Sequence, residues 1–230
     1  MTTTVTSAVR QGVWVGLATG AYGISFGALS VASGLNLWQT CLLSLLMFTG
    51  GSQFAFIGVI AAGGAGPAAA ATAFLLGVRN TLYSLQMSAL IKPRGLRKAA
   101  AAQVTIDESV AVSLAQPDRA SQRAGFWAAG LGVFVFWNLA TLGGALLGDV
   151  LGDPKRWGLD GAAAAAFVAL LWPRLKRRQA QAVGVVAALL AAVLVPLAPA
   201  GIPILAAGAA AAAVAWWQQR WGAASKGAHA

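Results

Sequence analysis

Apolar residues in this chain come in long, nearly uninterrupted runs. They show neither the strict alternation of a half-buried strand nor the one-sided stripe of a soluble helix. The runs cover 12–33, 37–61, 66–90, 125–148, 158–172, 180–198 and 200–217. A hydrocarbon core about 30 Å thick takes about 20 residues of helix to cross. Every run except 158–172 meets or approaches that length. The pattern therefore predicts an all-α, polytopic integral membrane helical bundle of about seven or eight segments. It predicts one transmembrane domain over 12–217, with tails at 1–11 and 218–230. The short run 158–172 reads as a half-helix or a segment in thinned bilayer. No small-residue cleavage site follows the first run, so it reads as an uncleaved span.

Two kinds of residue support these borders. Trp14, Trp38, Trp127, Trp157, Trp172, Trp216, Trp217 and Trp221 fall near proposed ends, where indole rings favour the interface; Trp137 is the exception, mid-run. Two loops are strongly basic, one with Lys92, Arg94, Arg97 and Lys98, the other with Arg174, Lys176, Arg177 and Arg178. Both should face the cytoplasm, so an even number of crossings lies between them. Three apolar stretches lie there: 99–115, 125–148 and 158–172. The first carries adjacent acids and is expected to be re-entrant or broken. The C-terminus then falls inside. The N-terminus falls outside if 37–61 crosses as one helix, and a hairpin broken at Gly50-Gly51 reverses that end.

Composition excludes whole classes. Hydrophobic residues make up 58% and charged residues 10%, against about 45–50% and about 25% in soluble domains. Mean hydropathy is +0.71. A soluble enzyme and a disordered chain are both ruled out. Cys41 is the sole cysteine, so no intrachain disulfide forms. The net charge of +10 sits in loops between apolar runs, so the partner it implies is a bilayer and not nucleic acid. The only histidine is His229. With no metal-ligand cluster, Ser–His arrangement or P-loop, no metal, cofactor or enzymatic activity is expected. The repeat Gly12, Gly16, Gly20, Gly23, Gly27 makes a small-residue face for a neighbouring helix of the same chain or of a partner.

Polar residues inside the runs carry the chemistry, because each charge costs about 2.5–3.5 kcal/mol there on insertion scales. Arg79 lies mid-run and needs a carboxylate, carbonyls or water. It either anchors an anionic group through its planar donor fork or pairs with Asp107, Glu108 or Asp160. Asn80 follows it, and Tyr83, four residues on, shares its helix face. Thr105 and Glu108 have capping-box spacing, which starts a helix but leaves Asp107 unexplained. That helix is too short to span. Starting inside a membrane, it would present free N–H groups, as discontinuous transporter helices do. Asp160 is either a cap before an Ala run or part of the same site. Gly50, Gly51, Ser52 and Gln53 interrupt an apolar span. A kink there would free carbonyls which, with the Gln53 amide, meet a polar ligand. Phe48, Phe54 and Phe56 are candidates for an apolar pocket, and Trp137, Asn138 and Thr141 have a similar mid-span character.

The series GAYGISFGAL (20–29), FTGGSQFAF (48–56), GVRNTLYSLQMS (77–88), TIDESVAV (105–112), FWNLATLGGALLG (136–148) and GLDGAAAAAFVALLWP (158–173) resembles the AzlC family, the large subunits of bacterial branched-chain amino acid transporters. Asn80 stands where that family more often has His. The resemblance covers about residues 10–200. It implies export of Leu, Ile, Val and sometimes Met across the bacterial cytoplasmic (inner) membrane, coupled to protons. It also implies a small AzlD-like membrane subunit as partner. The substrate or proton would be handled by Arg79, Asn80, Tyr83, Asp107, Glu108, Asp160, the 50–53 segment, Phe48, Phe54, Trp137 and Asn138. The alternative is an accessory or scaffold subunit that moves nothing itself.

Overall fold

The computed structural model describes residues 2–151, 156, 168, 172–176 and 178–227. Those residues are mostly helical, with nine α-helices and no strand among them. They are α1 (Thr2–Ala32), α2 (Leu37–Leu46), α3 (Gly50–Ala61), α4 (Gly66–Ile91), α5 (Leu96–Gln103), α6 (Asp107–Leu114), α7 (Arg119–Leu151), α8 (Arg178–Leu194) and α9 (Ile202–Gly227), with a 3₁₀ turn at Trp172–Lys176. Two stretches, Thr4–Ala32 and Arg119–Gly148, are each long and apolar enough to cross a membrane. The run 158–172, with Asp160, lies mostly outside the described residues.

The glycine repeat of α1 is spent within the chain. A Cβ on Gly12 would stand 2.6 Å from Ala129 N, one on Gly16 2.7 Å from Gly132 C, and one on Gly23 2.6 Å from Trp137 O. On Gly27 it would run into the Thr141 carbonyl. Contacting residues ascend together along both helices, so α1 and α7 are parallel and nearly touch backbone to backbone. No side chain fits between them.

Two predicted runs are split, and each forms a hairpin. For the first, a single crossing and a break at Gly50-Gly51 were both open; the chain leaves helix at 47–49, and Gly50 opens α3. α2 starts beside the C-terminal end of α1, where Ser30 and Thr40 hydroxyls bond at 2.8 Å. It ends with Phe48 against Phe134, ring centroids 4.9 Å apart, about half-way along α7. α3 then turns back, with Phe54 edge-on to Phe26 at 5.7 Å. So 37–61 does not traverse the bundle. It enters and returns at one end.

The second hairpin does the same from the opposite end. α4 runs antiparallel to α1 and finishes near the start of α7, where Arg123 Nε donates to Leu90 O at 3.1 Å. α5 rises from there until Gln103 Nε2 donates to Leu45 O at 2.7 Å, on the first hairpin. The break at 104–106 follows. α6 returns, and Gln116 Nε2 reaches Gln11 Oε1 at 2.9 Å. The expected break in 99–115 is therefore present. A helix followed by a re-entrant hairpin thus occurs twice, α1–α2–α3 and α4–α5–α6, in opposite orientations.

The two tips meet in an apolar cluster of Phe26, Phe48, Phe54, Ile57, Ile106, Val133 and Trp137. Trp137 departs from the border position of the other tryptophans because it is core: 4% exposed and stacked on Phe26 at 6.1 Å. By contrast Trp14, Trp38, Trp172, Trp216 and Trp217 are exposed. So are Phe74, Leu82, Leu85, Leu139, Leu189 and Val193, an apolar exterior that suits lipid and not water.

Candidate functional site

Each hairpin tip exposes the start of a half-helix, and both starts border one cavity of about 160 Å³. Thr49, Gly50, Gly51 and Phe54 line it from α3 and its approach, and Ile106, Asp107 and Glu108 from the start of α6. Arg79 comes from α4, Thr19 and Tyr22 from α1, Val133 and Trp137 from α7, and Phe48 from the first tip. Half-helix starts matter because the first N–H groups of a helix have no intrahelical acceptor.

Asp107 and Arg79 form an ion pair across the cavity wall, Nη2 to Oδ2 at 2.8 Å, with side chains 26% and 16% exposed for arginine and aspartate. Pairing is the option that lets a guanidinium sit midway along α4, a helix with no other charged residue. Its Nε has no partner among the described residues. Glu108 lines the same cavity, so two carboxyls and one guanidinium share it.

The capping box expected from Thr105 and Glu108 does not form. Thr105 Oγ1 donates instead to Ala101 O at 2.6 Å. Ser109 Oγ does the capping, accepting from Ile106 N–H at 3.0 Å and donating to Val104 O at 2.7 Å. This frees Glu108 to face the cavity. The role expected of Gln53 also changes. Its Nε2 donates to Ser44 O at 3.3 Å, a carbonyl left open by the end of α2. It seals that helix end and does not line the cavity. At the kink the cavity is thus bordered by the start of α3, whose first N–H groups have no intrahelical acceptor.

Of the residues singled out in the sequence, Arg79, Asp107, Glu108, Gly50, Gly51, Phe48, Phe54 and Trp137 come together. Ser52 is buried in the first turn of α3, 3.6 Å from where a Cβ on Gly77 would stand. Asn80 and Tyr83 do not line the cavity. Tyr83 packs on a second cluster around Met87, Val104 and Phe126. Asn138 Nδ2 donates to Phe134 O on its own helix at 2.8 Å, and Thr141 accepts from Ser44. Thr19, Tyr22, Thr49, Ile106 and Val133 were not anticipated. For Thr19 and Tyr22 a signal existed: two hydroxyls three residues apart share a helix face in an otherwise apolar run.

Broken helices whose ends meet around an ion pair, inside an apolar-coated bundle, define a membrane protein of the transport class. Residues 15–151 match the family model described as AzlC protein, and the chain belongs to the AzlC family. That match contains every residue lining the cavity. The family is associated with branched-chain amino acid transport, not with enzymatic chemistry. No curated protein and no solved structure matches the chain.

Proposed function

We propose that this chain is the transporting subunit of a proton-coupled exporter of leucine, isoleucine, valine and similar neutral amino acids such as methionine. It works in a bacterial inner membrane, with a small AzlD-like subunit as partner. One observation carries the reading: two half-helix starts, an Arg–Asp pair and an extra carboxyl border one cavity at the meeting point of oppositely oriented hairpins. Secondary transporters with inverted repeats bind at such places. A zwitterion needs donors for its carboxylate, an acid for its ammonium group and an apolar surface for its side chain. Gly50, Gly51 and Arg79, then Asp107 and Glu108, then Phe48, Phe54 and Trp137 are those three sets. A cavity of about 150 Å³ takes a benzene-sized guest, so about 160 Å³ suits a guest the size of a branched side chain. Of the two acids, Glu108 is outside the ion pair and is the better proton carrier.

The test is efflux of labelled valine, isoleucine and methionine from vesicles under an imposed pH gradient. The vesicles carry this chain alone, the chain with its small partner, or the pair with Glu108→Gln. Efflux that needs both subunits and loses its response to the gradient in the variant is expected. The Arg79–Asp107 pair would also serve an accessory subunit, and a well-folded pair that moves no amino acid would favour that role.

A further inference from the structure

We infer that the amino end of α3 is the carboxylate subsite of this cavity, and that the ammonium group lies on the Asp107–Glu108 side. This rests on the amino-acid reading above and fixes how the substrate is oriented. The two half-helix starts share a backbone feature but differ in charge. α6 carries Asp107 and Glu108 in its first turn, and their negative charge offsets the positive end of its dipole. α3 has no acid in its first turn, and Thr49 at its N-cap makes no side-chain capping bond. The N–H groups of Gly50, Gly51 and Ser52 precede the first bond of the helix, Gln53 N to Thr49 O at 3.0 Å. They are the donors a carboxylate would take.

A side chain adds independent support. Trp137 Nε1 has no hydrogen-bond partner among the described residues, although the residue is only 4% exposed. Buried polar groups are ordinarily satisfied. An indole N–H is a donor only, so what it lacks is an acceptor. Trp137 lines the cavity, and a Cβ on Gly50 would stand 3.1 Å from its ring. Indole and helix start therefore share one wall. A carboxylate there would answer the α3 N–H groups and the Trp137 N–H together. It would leave Asp107 and Glu108 for the ammonium group.

The experiment measures binding of leucine and of 3-methylbutylamine to the full chain in lipid nanodiscs. The amine keeps the side chain and ammonium group but lacks the carboxylate. Trp137→Phe keeps a six-membered aromatic ring and removes the pyrrole part with its N–H; Gly50→Pro, which removes one α3 N–H at the first helical position, where proline is tolerated, is the second variant, read the same way if the first does not fold. Loss of a hydrogen bond to a charged group predicts leucine weakened by about tenfold, with the amine changed by less than about twofold. Equal weakening of both ligands, or no weakening of leucine, overturns the subsite and leaves the transport reading standing. A folded wild-type chain that binds no branched-chain amino acid overturns both.

Discussion

Arg79 and Asp107 are each untenable alone in an apolar interior, and together they are a neutral unit. Removing one partner leaves an uncompensated charge, which costs more than removing both. Arg79→Gln or Asp107→Asn alone should therefore lower the amount of folded protein in the membrane. The double variant should recover much of that amount but not transport, as read by quantitative blotting beside vesicle efflux. Asp118, in the turn before α7, is a different case. It accepts from Ser121 N–H at 3.0 Å, from the Ser121 hydroxyl at 2.8 Å and from Ala120 N–H at 2.9 Å. These bonds, the Ser121 N–H foremost, favour the carboxylate and hold its pKa below the usual value. The stabilisation is thus full above the unfolded pKa of about 3.9 and is lost as pH falls through the lower folded value. Asp118→Ala should melt earlier than wild type at neutral pH, and the gap should close below about pH 4; thermal scans in detergent at both pH values check this.

At the scale of elements, the α1–α7 contact is the stiffest part of the bundle, because backbone meets backbone. Enlarging a residue there cannot be absorbed by a rotamer change. Gly16→Leu or Gly27→Leu should each destabilise by at least about 1–3 kcal/mol, the usual cost of overpacking. The same change at Gly143, which has open space around it, should be mild. Comparative melting of the three variants is the check. The hairpins are held otherwise. Their tips rest on aromatic contacts and on a few side-chain bonds to carbonyls, such as Gln103 to Leu45 and Gln53 to Ser44. Short helices joined in this way are the elements best able to move against the rigid α1–α7 pair.

For the whole molecule, the two hairpins decide which way the chain faces. Because 37–61 returns to the end it entered, the start of α1 lies at the same end as Lys92, Arg94, Arg97, Lys98, Arg119 and Arg123. The opposite loops, 33–36 and 62–65, have no charged residue. The positive-inside rule then predicts a cytoplasmic N-terminus, the reverse of the orientation that follows if 37–61 crosses. Single cysteines at Ser33 and Gln116, in a Cys41→Ala background, check it. A membrane-impermeant thiol reagent added to intact cells should label position 33 and not 116.

The sequence by itself determined the solvent and the chemistry. Long apolar runs leave no alternative to membrane helices, since a backbone in lipid must satisfy its own hydrogen bonds. Charge within such runs is costly enough that Arg79, Asp107 and Glu108 stand out without a structure. Glycines at Gly12, Gly16 and Gly20 announced a close helix contact, and acids in 99–115 announced a break. Tertiary structure alone decided who meets whom. That Gly16 faces Gly132, that Gln53 seals α2, that Ser109 rather than Glu108 caps α6, and that Thr19 and Tyr22 join the cavity all depend on helices far apart in sequence. Local pattern fixes which groups cannot face lipid. Only packing, which is non-local, fixes which of them satisfy one another and which are left to face the cavity.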